Sequence, residues 1–252
     1  MNASEIKWIK SLSQKKFRDE YGLFLVEGRK MVEELLCSSF VTQRVITTQP
    51  LDFPVPGRPL EHVNAAIMAR LSALKTPPTV LAVAEKPVTS KCPLPGKDEL
   101  LLALDNIQDP GNLGTIIRLA DWFGIRRIVC SPGTADCYNP KVVQATMGAI
   151  FRVNVHYTAL PEFLQQVKKS TAVYGAFLDG GNVYQKRLAP GGVLVVGNEG
   201  NGISPEAAEA VSERLFIPPF PAGAVTSESL NVAVSTAILC AEFRRRNIPA
   251  IR

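Results

Sequence analysis

Five short apolar runs in the later part of the chain limit how it can fold. They are apolar on both faces of a strand, and stretches with helical spacing lie between them. The runs are LLLAL at 100–104, RIVC at 127–130, VYGAFL at 173–178, GVLVVG at 192–197 and RLFI at 214–217. Strands that are buried on both faces and separated by helices are typical of a parallel sheet covered on both sides. We therefore expect an α/β domain over residues 98–252.

The first part of the chain shows the same alternation on a smaller scale. Ser4 precedes a helical pattern of Ile6, Ile9 and Leu12 and is predicted to cap that helix. Predicted strands and helices then alternate, which indicates a small α/β domain over residues 1–90. The strands are expected at 23–26, 44–48 and 79–84, and the helices at 27–37 and 63–74. The segment 85–99, with three prolines and a glycine, is predicted to be a linker.

Composition excludes several classes of protein. The chain has 252 residues, of which 46% are apolar and 20% charged, as in an ordinary globular protein. It contains no run of 18 apolar residues, and residues 1–16 lack the apolar core of a secretion signal, so neither a membrane span nor an export signal is expected. Five scattered cysteines without a CxxC pair predict reduced thiols and a cytoplasmic protein. His62 and His156 are isolated, so no metal site is expected.

The positive charge is concentrated in the first part of the chain. Residues 1–96 hold 13 Lys/Arg against 9 Asp/Glu, a net +4, whereas residues 97–252 hold 15 against 14, a net +1. One interpretation is a solvated basic surface; the other is a module that faces a polyanion beside a nearly neutral catalytic domain. The charge permits nucleic-acid binding without requiring it.

Polar and glycine-rich segments follow three of the predicted strands, where open parallel sheets bind ligands. After the strand at 100–104 come Asp105-Asn106, then Pro110-Gly111, then Asn112, where a helix N-cap is expected, and Arg118 within the helix. The plainer interpretation makes Asn112 only a cap and Arg118 only a surface residue.

The other two segments follow the strands at 192–197 and 214–217. Gly197, Gly200 and Gly202 surround Glu199, in a pattern that matches neither the dinucleotide-binding fingerprint nor the P-loop. After the last strand, a loop of Pro, Ala and Gly leads to Ser229-Leu230-Asn231 before an apolar helix. One of these polar side chains can cap that helix, and the others need another partner.

Taken together, the three segments resemble the motifs of the SpoU (TrmH-like) group of the SPOUT superfamily. Motif 1 corresponds to 112–118, motif 2 to 197–200, and motif 3 to Ile217-Pro218 followed by Ser229-Leu230-Asn231. The stretch 15–36 is similar to the substrate-binding domain, of ribosomal protein L30e-like fold, that precedes the catalytic domain in many members. The loop at 222–226 is longer than usual for motif 3, so the resemblance predicts no contacts there.

The resemblance implies an S-adenosyl-L-methionine-dependent RNA methyltransferase. Its fold would be a SPOUT α/β domain with a deep trefoil knot, preceded by a smaller L30e-like α/β domain. The reaction would be attack of a ribose 2′-oxygen on the methyl carbon of the cofactor, in a homodimer with the active site assembled across the interface. We expect ribosomal RNA as the substrate in preference to transfer RNA, and no membrane or metal partner.

Site residues follow from the motif positions. The catalytic group would be Arg118, Asn112, Glu199, Ser229 and Asn231. The cofactor-binding group would be Gly197, Ile217, Leu230 and Gly202. Among these, Arg118 is predicted to stay charged, to bind a flanking phosphate and to stabilise the developing oxyanion. Basic side chains of the N-terminal domain are expected to bind RNA, namely Lys15, Lys16, Arg18, Arg29 and Lys30.

Three alternatives stay open. A transfer RNA could be the substrate, and an RNA-binding protein could keep the fold without activity, although all the motif residues are present. A nucleotide-dependent dehydrogenase would need the glycine fingerprint and an acidic residue at the right distance, which the sequence lacks.

Overall fold

A computed structural model describes residues 1–55, 57, 60–88, 91–221 and 227–246. The chain divides into two compact units that are not continuous in sequence. One unit is Met1–Thr89 with Asp136–Arg152, and the other is Ser90–Ala135 with Val153–Arg252. The chain therefore passes between the units three times.

Residues 1–85 build a mixed sheet flanked by helices. In chain order the elements are α1 (Ala3–Ser11), α2 (Lys15–Tyr21), β1 (Leu23–Glu27), α3 (Arg29–Leu36), β2 (Thr42–Thr47), β3 (Leu60–His62), α4 (Ala65–Leu71) and β4 (Val80–Glu85). The strand order is β1-β4-β2-β3, with β4 antiparallel to both β1 and β2, and β3 parallel to β2. The predicted strands and helices of this part are confirmed, while α2 and β3 were not predicted.

The cap of α1 differs from the prediction. The side chain of Asn2, not that of Ser4, accepts the Glu5 amide (2.9 Å), and the Glu5 carboxylate accepts the Asn2 amide (2.8 Å). This reciprocal pair is a capping box, which satisfies two backbone donors at once. Ser4 lies in the first turn because the helix starts one residue before it.

The remaining elements form the second unit and one excursion from it. They are β5 (Leu100–Asp105), α5 (Pro110–Trp122), β6 (Arg127–Cys130), α6 (Pro140–Thr146), β7 (Asn154–Tyr157), α7 (Leu160–Val167), β8 (Val173–Asn182), β9 (Gly192–Gly197), α8 (Pro205–Ala208), β10 (Glu213–Phe216) and α9 (Val232–Arg245). The sheet order is β10-β8-β9-β5-β6-β7, and every adjacent pair is parallel. The predicted parallel sheet is confirmed.

The central strands of this sheet are apolar on both faces because both faces are covered. Every residue of β5 is buried, and so is every residue of β9 except Gly197, its last. Leu101, Val193 and Val195 belong to one apolar cluster with side chains of α7, including Leu160 and Leu164. The helices α5 and α9 pack against each other. Burial of this kind, at ~25 cal/mol per Å² of apolar surface, drives the folding of the unit.

Residues 136–152 leave the second unit and complete the first. Arg18 of α2 is 1% exposed, and its guanidinium donates to the Asp136 carboxylate (2.6 Å). Tyr138 packs on Phe24, with ring centroids 4.6 Å apart, and burial raises the pKa of its phenol. Phe151, in a 3₁₀ turn at Ala149–Phe151, meets Phe40 edge to face. The excursion thus supplies core side chains and a charge partner to the first unit.

The predicted linker at 85–99 is partly anchored. The Arg127 guanidinium donates to the Pro93 carbonyl (2.6 Å) and to the Glu99 carboxylate (2.7 Å). Within the described ranges, no helix is long and apolar enough to cross a membrane. None of the five cysteines, all of which lie in the described ranges, forms a disulfide bond.

Candidate active site

The candidate site lies where β5 and β9, adjacent in the sheet, reach their carboxyl ends. Asp105 is paired in register with Gly197, so the two segments that follow leave the sheet side by side. A Cβ on Gly197 would lie 2.1 Å from the Gly202 carbonyl carbon, so only glycine fits there. Gly202 has φ +69°, in the left-handed region that favours glycine. The glycines therefore allow a tight turn to fold back over the end of β9.

Three predicted site residues from distant parts of the chain are joined by hydrogen bonds. The Asn231 side-chain amide donates to Asn112 Oδ1 at 3.0 Å, and Asn112 Nδ2 donates to Glu199 Oε1 at 2.5 Å. We call Asn231, Asn112 and Glu199 the amide–carboxylate chain. Because Asn112 accepts on one side and donates on the other, the orientation of its amide is fixed. The amide–carboxylate chain connects the first turn of α5, the turn after β9 and the start of α9.

The N-cap contacts of α5 and α9 explain why the side chains of these two asparagines can bond to each other. Asp109 caps α5, since its carboxylate accepts the Asn112 amide N–H at 2.8 Å. The prediction that Asn112 is the cap is therefore wrong; Asn112 lies in the first turn and its side chain is free to bond elsewhere. Asn231 does cap α9, because its Oδ1 accepts the Ala233 amide (2.9 Å) while its Nδ2 reaches Asn112.

Arg118 and Ser229 are not linked to the amide–carboxylate chain by a hydrogen bond or ion pair within the described residues. Arg118 is exposed on α5 and has no ion-pair partner there. It lies six residues beyond Asn112, which is about 9 Å along the helix axis and about 120° around it. The Ser229 hydroxyl is exposed, and the Ser229 carbonyl accepts from Ser227 Oγ (3.4 Å).

The residues predicted to contact the cofactor lie at the ends of β9 and β10 and before α9. Ile217 directly follows β10 and is partly buried, while Leu230 is 47% exposed. The longer motif 3 loop at 222–226 lies outside the described residues.

The basic residues predicted to bind RNA divide into two groups. The Arg18 prediction is contradicted: its guanidinium is buried and donates to Asp136 and to the carbonyls of Leu12 (3.0 Å) and Ser13 (2.8 Å). It has no surface to offer to a phosphate. The other four basic residues are exposed but differ in their partners. They are Lys15, Lys16, Arg29 and Lys30.

Their local partners determine how much charge each exposed side chain offers. Lys15 is paired with Asp19 at 2.5 Å, and hydrogen bonds from Lys15 and Lys86 lower the pKa of the Asp19 carboxyl to about 2. Arg29 is paired with Asp52 at 2.6 Å. Lys16 and Lys30 have no ion-pair partner in the described part of the chain.

A polar network beneath the turn was not predicted from the sequence. The buried Asp105 carboxylate accepts the Ser204 amide at 2.7 Å and the Asn106 side-chain amide at 3.0 Å. Asn106, with φ +56°, donates its backbone N–H to Ser131 Oγ at 2.8 Å. The Asp105-Asn106 pair after a buried strand was the available signal, but its partners are distant in sequence.

The described residues contain no group of three or more His, Cys, Asp or Glu side chains that could hold a metal ion. The chemistry of the site therefore consists of amides, one exposed carboxylate, backbone groups and a separate guanidinium.

Comparison with known proteins assigns the chain to a family. Residues 99–241 match the model of the SpoU rRNA Methylase family, which is more than half of the chain. The chain belongs to the SpoU rRNA Methylase family. Residues 3–82 match the MRM3-like substrate binding domain. The predicted family and its two-part organisation are thus confirmed.

Relatives of this SpoU protein extend over nearly its whole length. It is 33% identical to 23S rRNA (guanosine(2553)-2'-O)-methyltransferase RlmP of Bacillus subtilis, over 95% of this chain and 96% of RlmP. A TrmH-family protein from Porphyromonas gingivalis has 40% identity and a TM-score of 0.86, covering 98% of this chain and 99% of the other. An AdoMet-bound rRNA methyltransferase from Sinorhizobium meliloti has 29% identity and a TM-score of 0.86, covering 98% and 96%.

Proposed function

We propose that this SpoU protein transfers a methyl group from S-adenosylmethionine to a ribose 2′-hydroxyl of ribosomal RNA. The observation that carries the proposal is the amide–carboxylate chain, which assembles motif residues 87 and 119 positions apart at the carboxyl ends of parallel strands. The name of RlmP, related over nearly the full length, specifies 2′-O-methylation of 23S rRNA. This favours ribosomal RNA over transfer RNA.

The turn after β9 has room and suitable chemistry for the cofactor. A Cβ on Gly202 would meet no heavy atom within 4 Å, so the space beside this residue is open. Leu230 offers a half-exposed apolar surface, and the glycines expose backbone amides and carbonyls. Apolar walls with a few backbone hydrogen-bonding groups are typical of sites for nucleoside-like ligands. When bound, S-adenosylmethionine supplies a methyl group attached to a positively charged sulfur.

The side chains of the protein orient the RNA and stabilise charge. Glu199 Oε1 is held by Asn112, whereas Oε2 makes no hydrogen bond to the described residues and is available to accept one from a ribose hydroxyl. Arg118 binds a phosphate of the RNA and stabilises negative charge on the attacking oxygen. Orientation of this kind contributes up to ~7–11 kcal/mol in well-aligned reactions.

Binding and transfer can be tested separately. Titration calorimetry should detect S-adenosylmethionine binding in the presence of EDTA. Labelled methyl groups should then appear in 23S rRNA from a strain that lacks the gene, and not in 16S rRNA or transfer RNA from that strain. No binding at millimolar cofactor would support the inactive-homologue alternative. Labelling of transfer RNA alone would show that transfer RNA, and not ribosomal RNA, is the substrate.

The N-terminal unit is proposed to bind the RNA through Lys16 and Lys30. Both are exposed and unpaired among the described residues, and each phosphate contact contributes about one unit to the slope of log K against log salt. Lys16→Ala and Lys30→Ala should each reduce this slope by about one. Lys15→Ala should change it less, because Asp19 already holds that ammonium group. Equal slopes for all three variants would contradict the assignment.

We further propose a homodimer, whose second copy completes the site. Trp122 is 83% exposed and lies four residues after Arg118, on the same side of α5. Val234 on α9 is also half exposed. Arg118 and Asn112 point away from α5 in different directions, so a single copy does not present both on one face. A neighbouring subunit against this surface would bury Trp122 and bring Arg118 to the partner's amide–carboxylate chain.

Co-expression of two inactive variants tests this arrangement. If each site takes Arg118 from one subunit and Asn231 from the other, Arg118→Ala mixed with Asn231→Ala forms heterodimers with one intact site. Random pairing then restores about a quarter of the wild-type activity. A fully active monomer in light scattering would exclude the homodimer.

Two further expectations complete the proposal. The carboxyl end of the sheet is expected to hold the trefoil knot, since Asn231 after the motif 3 loop returns to bond Asn112. The protein is expected in the cytoplasm. The path of the chain in a crystal structure checks the knot, and cell fractionation checks the location.

A further inference from the structure

Asn198 fixes the turn from which Glu199 extends. Its Oδ1 accepts the amides of Gly200 (2.9 Å) and Asn201 (3.1 Å), and its Nδ2 donates to the Asn106 carbonyl (3.0 Å). Its backbone N–H and C=O both pair with Gly202, at 3.0 and 2.8 Å. The side chain thus closes its own turn and ties that turn to the segment after β5.

The anchor at Asn106 is itself rigid. Its backbone N–H and side-chain amide are both bonded, to Ser131 and to Asp105. Gly133 leaves room for this side chain, since a Cβ at residue 133 would lie 2.0 Å from Asn106 Oδ1. The Asn106 carbonyl therefore has a fixed direction, and Asn198 Nδ2 bonds a stationary acceptor.

The far end of the turn is tied to the same strand. The Ser204 amide donates to Asp105 Oδ2 at 2.7 Å, so the two ends of 198–204 are held by Asp105, the last residue of β5, and by Asn106, which follows it. Glu199 lies within this segment, is exposed, and bonds only Asn112 among the described residues. A long exposed side chain holds one position only if its backbone is fixed.

We propose that Asn198 is a positioning residue for the methyl transfer and acts through Glu199. This inference rests on the function proposed above. With the Asn198–Asn106 bond present, the Glu199 carboxylate remains within hydrogen-bond distance of Asn112, and its second oxygen points in a constant direction. With that bond absent, the turn shifts. A displacement of ~1 Å at a reacting group can lower the rate by about a hundredfold.

Asn198→Asp tests the proposal with little change in size. Aspartate keeps acceptors for the amides of Gly200 and Asn201 but places an oxygen against the Asn106 carbonyl. Asn198→Ser serves if the aspartate variant does not fold, since serine can close the turn but is too short to reach Asn106. The matched control is Asn201→Ala, an exposed residue of the same turn whose side chain makes no hydrogen bond to the described residues.

The decisive measurement is a double-mutant cycle on the single-turnover rate. Asn198→Asp alone should slow transfer by about tenfold to a hundredfold, and Asn201→Ala should leave it unchanged. In the Glu199→Ala background, Asn198→Asp should cost less than about threefold, because the residue it positions is gone. Independent, multiplying losses would overturn the positioning role.

A crystal structure of the Asn198→Asp variant gives a readout that does not depend on activity. The Glu199–Asn112 bond should be lost or lengthened beyond 3.5 Å, about the limit for a hydrogen bond. An unchanged bond would overturn the inference even with the reaction intact. If the wild-type protein does not methylate RNA, the proposed function fails, while this structural comparison still tests the link between Asn198 and Glu199.

Discussion

At the scale of single residues, two side chains with similar charge have opposite roles. Arg18 and Arg118 each lie on a helix, but one is 1% exposed with four hydrogen bonds and the other is exposed without an ion-pair partner in the described residues. Removing a buried guanidinium that is bonded in this way leaves its partners unpaired, whereas an exposed guanidinium without a partner is available to a ligand. Sequence alone does not separate these roles, because the Asp136 partner that buries Arg18 lies 118 positions away in the chain.

Arg118→Ala should leave the fold and cofactor binding nearly intact and slow methyl transfer by about a hundredfold or more, the effect of losing one oxyanion donor. Arg118→Lys should restore little, because lysine keeps the charge but lacks the planar fork that binds phosphate. Single-turnover rates with labelled cofactor measure both. A wild-type rate for Arg118→Ala would make this residue an ordinary surface arginine.

Glu27 gives a prediction about pH. The carboxylate is 3% exposed and accepts from Ser72 and the Ala73 amide, and burial raises the pKa of Glu27 above its ordinary value. The folded state then holds the proton more tightly than the unfolded state, so this stabilisation is complete below the ordinary pKa and is lost as pH rises through the raised value.

Melting temperatures of wild type and Glu27→Gln should therefore diverge as the pH rises above the ordinary glutamate pKa of 4.5, with the wild type losing stability relative to the variant. Glutamine retains an acceptor for Ala73 and a donor towards Ser72. Glu20→Gln, at an exposed position, is the control and should follow the wild type. Parallel curves for Glu27→Gln and wild type would contradict the assignment.

At the scale of elements, the central strands could be predicted because their neighbours on both faces require apolar residues. β5 and β9 were located from such runs, whereas β3 and β7 were missed because they are short and partly exposed. The predictions of helix caps were less reliable. Asn112 and Ser4 are polar residues near helix starts, but Asp109 and Asn2 make the capping bonds. Several polar groups in succession leave the first helical residue ambiguous.

The candidate site was predicted only in part, because its supporting hydrogen bonds join residues that are far apart in sequence. The resemblance to a family identified Asn112, Glu199 and Asn231, and the structure adds their mutual bonds. The supporting bond between Asn198 and Asn106 joins residues 92 positions apart, and no spacing rule connects them.

Two glycines at the end of β9 and in the following turn allow a matched pair of alanine substitutions that tests the steric requirement for glycine. Gly197→Ala would place a Cβ 2.1 Å from the Gly202 backbone, whereas at Gly200 the nearest atom would be Asn198 Oδ1 at 3.4 Å. The first should lower the free energy of unfolding by about 1–3 kcal/mol, as overpacking does, and weaken cofactor binding. Gly200→Ala should do much less. Urea titration and calorimetry measure these effects, and equal results for both would refute the steric argument.

At the scale of the whole molecule, the boundary between the units does not follow the sequence. The first unit needs residues 136–152, which provide Asp136, Tyr138 and Phe151. A chain beginning at Lys97 would keep this segment but lose the surface that it packs against. Such a truncation would change the fold as well as RNA binding, so point substitutions are the better test of the N-terminal unit.

Arg18→Met should destabilise the protein by about 3–5 kcal/mol, because Asp136 is left as a poorly solvated charge without its partner. RNA affinity of the folded fraction should stay unchanged. Lys30→Ala should give the reverse pattern, with weaker RNA binding and normal stability. Denaturant unfolding and filter binding distinguish the two, and a lower RNA affinity for folded Arg18→Met would restore this residue as an RNA contact.

The excursion of residues 136–152 also sets an order of events during synthesis. When residue 89 has left the ribosome, Arg18 and Phe24 are present but Asp136 and Tyr138 do not yet exist. At ~5–20 residues per second, the last of this segment follows several seconds later. During this interval Arg18 has no ion-pair partner from residues 136–152, and the ring of Phe24 is not covered by Tyr138. The amino-terminal unit therefore cannot reach its final packing until residue 152 has been synthesised. Ribosome-bound chains stalled before residue 136 should be digested by protease much faster over residues 1–85 than chains that have released residue 152.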